Sequence, residues 1–329
     1  MRRAALTGAT GFIGRHLSEL LLADGWHVTA LVRDPAKAET LLDPRIHCHK
    51  ADLTAPEQLQ AGLRGGVDAV FHTAADTSTW SREADRQRAV NVTGTGHLIQ
   101  AHQDADAGRM VHVSSIAAFG LHRGIINEDT PQKGARSAVS YVATKAESEK
   151  LVRKACARGL DGVIVNPTHI VGRYDTNNWA RLITMVHDGS LPAIPPGGGN
   201  FAHGRSVAKA MVTAIDKAPT GARYILGGPY ASFREFIDQA AELMDVPVTA
   251  PAPPAFVVKA MAYLAEWQGR VTGKRPRLTP EEAYFACETI SASSDKAARE
   301  LGYETPSLKD MIGESVDWLR REGHLPDRP

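Results

Sequence analysis

A chain of 329 residues, 43% hydrophobic and with a formal net charge of +1, is long enough for one large core or two unequal lobes and has no overall field to attract nucleic acid or an anionic surface. Its three cysteines, Cys48, Cys156 and Cys287, are odd in number and widely spaced, which argues against a disulfide framework or a zinc site and for a reducing cytoplasm. No apolar run reaches membrane-spanning length, and the one at the N-terminus is too short for a signal peptide, so the expected partner is a small-molecule substrate, with no nucleic acid and no membrane span.

The chain opens on a short apolar strand, "AALTG", that runs into "LTGATGFIG" and an amphipathic helix with Leu17, Leu20 and Leu21 at 3/4 spacing. In that order of strand, turn and helix, Gly8, Gly11 and Gly14 clear side chains from the path of a pyrophosphate, and the helix N-terminus that begins at Phe12 and Ile13 offers free N–H groups to it. The second strand, "HVTALV", ends at Arg33, the position where an acid would accept a ribose 2′-hydroxyl and repel a 2′-phosphate. A guanidinium there does the reverse, so NADP(H) is expected over NAD(H). Lys37 could add a second positive contact, whereas the neighbouring Asp34 works against one. The next strand, "IHCHKADL", sets His47 and His49 on one face without a third ligand nearby, and no metal site is expected.

Further strands "VDAVFHTAA", "RMVHVSS" and "DGVIVNP" continue a βαβ series, which predicts an α/β fold: a Rossmann-type doubly wound parallel sheet with a smaller C-terminal substrate lobe. Ser114 and Ser115 end the fifth strand, on the edge where open α/β sheets hold ligands. Tyr141 and Lys145 follow at i and i+4, on one face of a helix. For hydride chemistry at a carbonyl, one group must deliver a proton to the developing alkoxide while another donor holds the oxygen. Tyr141 can do the first and Ser115 the second, and an adjacent ammonium is expected to lower the tyrosine pKa by stabilising the phenolate.

The texture changes near residue 166. "RYDTNNW", "LPAIPPGGGN" and "APAPPAF" are rich in Pro, Gly and Asn, so residues 1–166 are expected to form the dinucleotide-binding domain and 167–329 mainly the substrate lobe. One later strand, "ARYILGG" near 222–228, is expected to return to the main sheet. Residues 256–271 predict an apolar-rich helix suited to capping a pocket, joining a partner or touching a membrane surface, with core or lid packing the commoner use.

Taken together, "TGATGFIG", "ADL" at Asp52, "HTAA" before Ala75, "NVTGT" at Asn91, "VSSIAAFG" and "YVATK" closely resemble the extended short-chain dehydrogenase/reductases, the NAD(P)-dependent epimerase/dehydratase family. Within it, "VRDP", "VNPTHIVG", "GARYILGG" and "SSDKAARELGY" look most like the dihydroflavonol-reductase-like and hopanoid-associated epimerase-like branch. The resemblance implies that Ser115 is the catalytic serine, Tyr141 the acid/base and Lys145 the residue on the nicotinamide ribose. It implies that Asp52 and Leu53 lie by the adenine, that Thr73, Ala74 and Ala75 line the cofactor, and that backbone at Pro167 faces the nicotinamide. Ser114 is the wrong distance from Gly120 for the catalytic role.

Sugar dehydratases of that family carry an acidic pair where this chain has Ile116 and Ala117, and nucleotide-sugar enzymes commonly carry an Arg where it has Asn200. Arg205 and Ser206 also stand where relatives show acids, and Arg205 could meet an anionic group on a substrate. A pocket wall of Thr77, Trp80, Phe119, Tyr174 and Trp179 would suit an apolar or aromatic compound. The reading is therefore an NADP(H)-dependent oxidoreductase that interconverts a carbonyl and an alcohol. The alternatives are a nucleotide-sugar epimerase of the same family and a non-catalytic NADP(H)-binding regulator. The resemblance is also compatible with a homodimer.

Overall fold

A computed structural model describes residues 1–326. The first half alternates strand and helix: β1 (Arg3–Thr7), α1 (Phe12–Ala23), β2 (His27–Val32), α2 (Pro35–Glu39), β3 (His47–Lys50), α3 (Pro56–Leu63) and β4 (Ala69–His72). It continues through α4 (Ala84–Arg88), α5 (Gly94–Asp104), β5 (Arg109–Val113), a two-residue β6 (Ile125–Ile126), α6 (Ser140–Cys156) and β7 (Gly162–Pro167). Between α4 and α5 the chain makes a π-helical turn over Ala89–Thr93, a form of helix that recurs where a side chain must be re-aimed.

The second half contains β8 (His169–Val171), α7 (Trp179–His187), β9 (Gly198–His203), α8 (Gly204–Lys217), β10 (Arg223–Leu226), β11 (Tyr230–Ser232) and α9 (Phe233–Met244). It ends with α10 (Ala255–Thr272), α11 (Pro280–Cys287), β12 (Thr289–Ala292), α12 (Asp295–Leu301) and α13 (Leu308–Arg321). Among the described residues no helix is long and apolar enough to cross a membrane.

Seven strands form one parallel sheet in the order β10-β7-β5-β4-β1-β2-β3. Strands such as Leu6, Phe71, Val111 and Val163 contribute side chains that are fully buried, as a sheet covered by helices on both faces requires. The order reverses between β1 and β4, and a crevice opens at the carboxyl ends there. A smaller sheet, β11-β9-β12-β6 with β8 beside β9, supports the second lobe. That lobe has its own core, in which Ile183, Phe201, Phe236, Met311 and Trp318 pack between α7, α9 and α13.

Candidate active site

At the β1–α1 turn, Gly8 has φ +73°, and a Cβ there would sit 2.6 Å from Thr73 Oγ1 and 2.7 Å from the Ala74 N. A Cβ on Gly14 would collide with the Gly8 carbonyl oxygen. The gain in helix propensity from Gly to Ala, about 1 kcal/mol, is far too small to offset that clash. Gly11 caps α1 without a side-chain hydrogen bond, and the first turn holds no acid, so the N–H groups of Phe12 and Ile13 are left for an anion. Thr73 Oγ1 donates to Thr7 O at 2.8 Å, and His72 bridges Thr7 Oγ1 at 2.8 Å and Thr95 Oγ1 at 3.0 Å. These bonds fix Thr73, Ala74 and the half-exposed Ala75 along the crevice floor.

Beyond β2, Asp34 is the N-cap of α2, its carboxylate accepting from the Lys37 N–H at 3.2 Å. The acid that could have opposed a 2′-phosphate is thus turned toward its own helix. Arg33 and Lys37 are exposed, and neither forms an ion pair among the described residues. Asp52 accepts from the Thr54 N–H at 2.8 Å, and that bond, with the Thr54 hydroxyl and the nearby Arg33 charge, holds its carboxyl below its ordinary value despite partial burial. Leu53 is buried, and its carbonyl meets His97 Nδ1 at 2.9 Å.

The registers of β5 and β7 place Ser114 and Ser115 beside Asn166 and Pro167, with the Ser114 N–H donating to Val165 O at 2.8 Å. The two serines then part. Ser114 Oγ donates to Glu149 Oε2 at 2.6 Å inside the protein, whereas Ser115 turns to the crevice, caps a short 3-10 turn through the Ala117 N–H and acts on the Tyr141 phenol. Lys145 is one turn past Tyr141 on α6 and only 4% exposed. Its Nζ donates to Val113 O at 2.7 Å.

The electrostatics differ from the expectation in one respect. Burial raises Tyr141 above the ordinary phenol value, and what offsets this in part is the Ser115 hydroxyl, not the Lys145 ammonium. The ammonium is engaged by the Val113 carbonyl and is itself pushed down to about 8 by burial, against the pull of Glu149.

Glu149 escaped the sequence reading. Fully buried, it also accepts from Asn166 Nδ2 at 2.7 Å and Gln132 Nε2 at 2.6 Å and meets Arg223 Nη1 at 3.2 Å. Its signal was available: Tyr141, Lys145 and Glu149 recur every fourth residue, so they share one helical face.

The residues expected to wall a pocket lie in different packing environments. Phe119 is fully buried beneath the Arg223 guanidinium, 4.6 Å from its ring, and lines no pocket. Trp179 is taken up by the lobe core, with ring centroids 4.8 Å from both Phe201 and Phe236. Tyr174 has its hydroxyl on Glu19 and Arg173 and its ring under Arg15, at the junction of α1 and the second lobe. Arg205 pairs with Glu19 at 3.6 Å. Phe119 packs in a small cluster with Ile116, Ile126 and Ile225, while Tyr174 and Trp179 pack against the lobe core.

Thr77 is exposed and Trp80 half-buried with no partner for its indole N–H, on the loop that Asn91 holds through the Asp76 backbone at 2.7 and 2.8 Å. The ring that meets Tyr141 is instead Phe285 of α11, at 5.9 Å, with Tyr284 beside it. Glu281 of the same helix accepts the Ser140 N–H at 2.7 Å.

The chain thus provides a cradle for a dinucleotide: a glycine turn that any side chain would fill, a free helix N-terminus and two unpartnered buried oxygens, Asn166 Oδ1 and Thr168 Oγ1, flanking Pro167. Residues 4–227 match the NAD dependent epimerase/dehydratase family. The chain is 32% identical over 329 residues to "Sterol demethylase protein B" of Methylococcus capsulatus, covering 97% of this chain and 99% of that one. It is also 32% identical over 329 residues to a 4-hydroxy-2-methyl-3-oxo-4-farnesyl-3,4-dihydroquinoline-1-oxide ketoreductase of Stigmatella aurantiaca, covering 98% and 96%. Among solved structures, gox2253 superposes with a TM-score of 0.84 at 28% identity, over 99% of this chain and 100% of that one. The NAD complex of UDP-glucuronic acid 4-epimerase from Bacillus cereus superposes with a TM-score of 0.78 over 97% and 96%; at 21% identity it shares the fold.

Proposed function

The chain belongs to the NAD-dependent epimerase/dehydratase family, the extended short-chain dehydrogenase/reductases, and from that premise we propose that it is an NADP(H)-dependent enzyme interconverting a ketone or aldehyde and an alcohol on a small apolar or aromatic substrate. The observation that carries the reading is the buried Tyr141 hydroxyl, one turn before Lys145 on α6, under the influence of Ser115 and walled by Phe285. A tyrosine raised above its ordinary value is protonated at neutral pH and so is a donor ready for a developing alkoxide.

A nicotinamide dinucleotide, when bound, would supply the hydride for the reductive direction. Tyr141 gives its proton to the carbonyl oxygen, Ser115 holds that oxygen by a second hydrogen bond, and a proton from solvent restores the tyrosine. Lys145, largely protonated at pH 7, is assigned to the nicotinamide ribose. Gly8, Gly11 and Gly14, with the N–H groups of Phe12 and Ile13, would hold the pyrophosphate. Asp52 and Leu53 would flank the adenine, Thr73, Ala74 and Ala75 the crevice floor, and Pro167 the nicotinamide. Arg33, with Lys37 behind it, supports NADP(H), since neither forms an ion pair among the described residues. We take residues 1–166 with β10 as the cofactor-binding unit.

The substrate class draws on the apolar walls and on the two relatives whose names specify a sterol and a farnesylated ketone. The free thiols of Cys48, Cys156 and Cys287 support a cytoplasmic location.

A panel of apolar and aromatic ketones, aldehydes and their alcohols, followed by NADPH absorbance, tests the reading. Wild-type protein turns over at least one, and Tyr141→Phe loses about 10³-fold in kcat while binding NADPH with unchanged affinity. Normal turnover in that variant overturns the acid/base role. Purified protein that retains NAD through turnover replaces the reductase by an epimerase.

A further inference from the structure

More than half of the exposed large hydrophobic side chains among the described residues sit on one helix, α10. Phe256, Met261, Tyr263, Leu264, Trp267 and Val271 are each between 58% and 73% exposed. At 100° per residue they occupy one side of the helix, while Val258, Ala262, Glu266 and Gly269 form the opposite, buried side against the protein. Scattered apolar residues are ordinary on a surface, but six large ones on one side of an 18-residue helix, with Gln268 the polar residue exposed among them, are not.

The charges of this segment are equally one-sided. Its only acid, Glu266, is 5% exposed and turned inward onto Ser81 and Arg270. Its cations are Lys259, Arg270, Lys274, Arg275 and Arg277, most of them gathered where the helix ends at Gly273. Lys259 and Arg275 pair with Glu288 and Glu282, but Lys274 and Arg277 form no ion pair among the described residues.

We propose that α10 lies flat on an anionic lipid surface, with its apolar stripe in the acyl boundary and the Lys274–Arg277 end on the headgroups. An amphipathic helix with tryptophan and tyrosine in its apolar face and cations at its edge is what such a surface retains. A second copy of the chain fits less well, because it would offer the same uncharged stripe and the same cations, with no exposed acid on α10 to receive them. The binding does not depend on the reaction assigned to Tyr141. For the apolar substrate class proposed above, it sets the bilayer one helix away from the site, since α10 packs on α11 and α11 carries Phe285 to Tyr141.

Sedimentation of the full chain with vesicles tests this without any substrate. The chain is expected to bind phosphatidylcholine vesicles containing about 30 mol% phosphatidylglycerol at least tenfold better than pure phosphatidylcholine, and less well as salt rises. The combined Phe256→Ser, Leu264→Ser and Trp267→Ser variant should lose binding about tenfold or more at unchanged thermal stability. Lys274→Gln with Arg277→Gln should weaken it by about fivefold per charge. Failure of the wild type to sediment, or wild-type binding by the serine variant, overturns the proposal. So does a solution dimer that the serine variant splits, which would make a second copy the occupant.

Discussion

The two sides of the crevice are built differently. On the cofactor side, each group sits where a strand of the parallel sheet ends: the glycine turn after β1, Arg33 after β2, Thr73 after β4 and Ser115 after β5. Strand register alone brings these together, so the geometry follows from short stretches of sequence. On the substrate side, the groups nearest Tyr141 come from α11, about 140 residues further along, and reach α6 through one ring contact and one hydrogen bond. A pyrophosphate asks the same of any chain that binds it, and its cradle can be written as a motif. A substrate wall is particular to one chain and is assembled by tertiary packing.

The largest effect should come from the cradle. Gly14→Val drives a side chain into the Gly8 carbonyl, so NADPH affinity should fall by about 100-fold or more, read by titration of cofactor fluorescence. Retained affinity would mean that the pyrophosphate does not enter this turn. Next in size is Arg33→Ser. Removing one charge-assisted hydrogen bond, worth about 1.5–3 kcal/mol, should lower NADP(H) affinity roughly 10- to 100-fold and leave NAD(H) nearly unchanged. Equal losses for both cofactors would place Arg33 away from the 2′-phosphate.

This asymmetry explains which residues could be read in advance. The seven-stranded sheet was legible because its strands are short apolar runs spaced by amphipathic helices, and because Gly8, Gly11 and Gly14 have few other uses in that order. Serine 115 could be separated from Ser114 only by spacing, and the structure supplies the reason for the difference: Ser114 is committed to the buried Glu149. Sequence alone does not place Phe119 or Trp179, because an aromatic residue near a motif has the same signature whether it lines a pocket or fills a core. The capping box of Thr279 and Glu282 marks the start of α11 in the sequence, yet nothing local says that this helix packs on Tyr141.

A smaller effect is expected on the substrate side. Glu281→Leu removes the acceptor of the Ser140 N–H at the first turn of α6 and frees Tyr141 to shift. Since reacting groups misplaced by an ångström can cost up to about 100-fold, kcat should drop about tenfold, with the KM for NADPH within twofold. Glu281→Gln, which keeps the acceptor oxygen, should recover most of the rate. A parallel rise in the KM for NADPH would show instead that α6 as a whole had moved, and with it Lys145.

The smallest effect is on stability and concerns histidines that serve both sides. Burial pushes His16 and His72 down to about 3 and His169 to about 4. Each folded-state value lies below that of the unfolded chain, about 6.5, so the unfolded chain takes up the protons first. The stability held by keeping these rings neutral is complete above about pH 6.5 and is lost as pH falls toward 4, at about 1.4 kcal/mol per pH unit for each ring. Urea midpoints at pH 7 and 5.5 should therefore differ, and His169→Phe, set among Trp179, Phe201 and Phe233 in the lobe core, should flatten the loss by one ring's share. An unchanged slope in that variant would mean that the lobe opens enough for His169 to protonate without unfolding, which is the behaviour a loosely assembled substrate side would show and a cofactor side fixed by strand register would not.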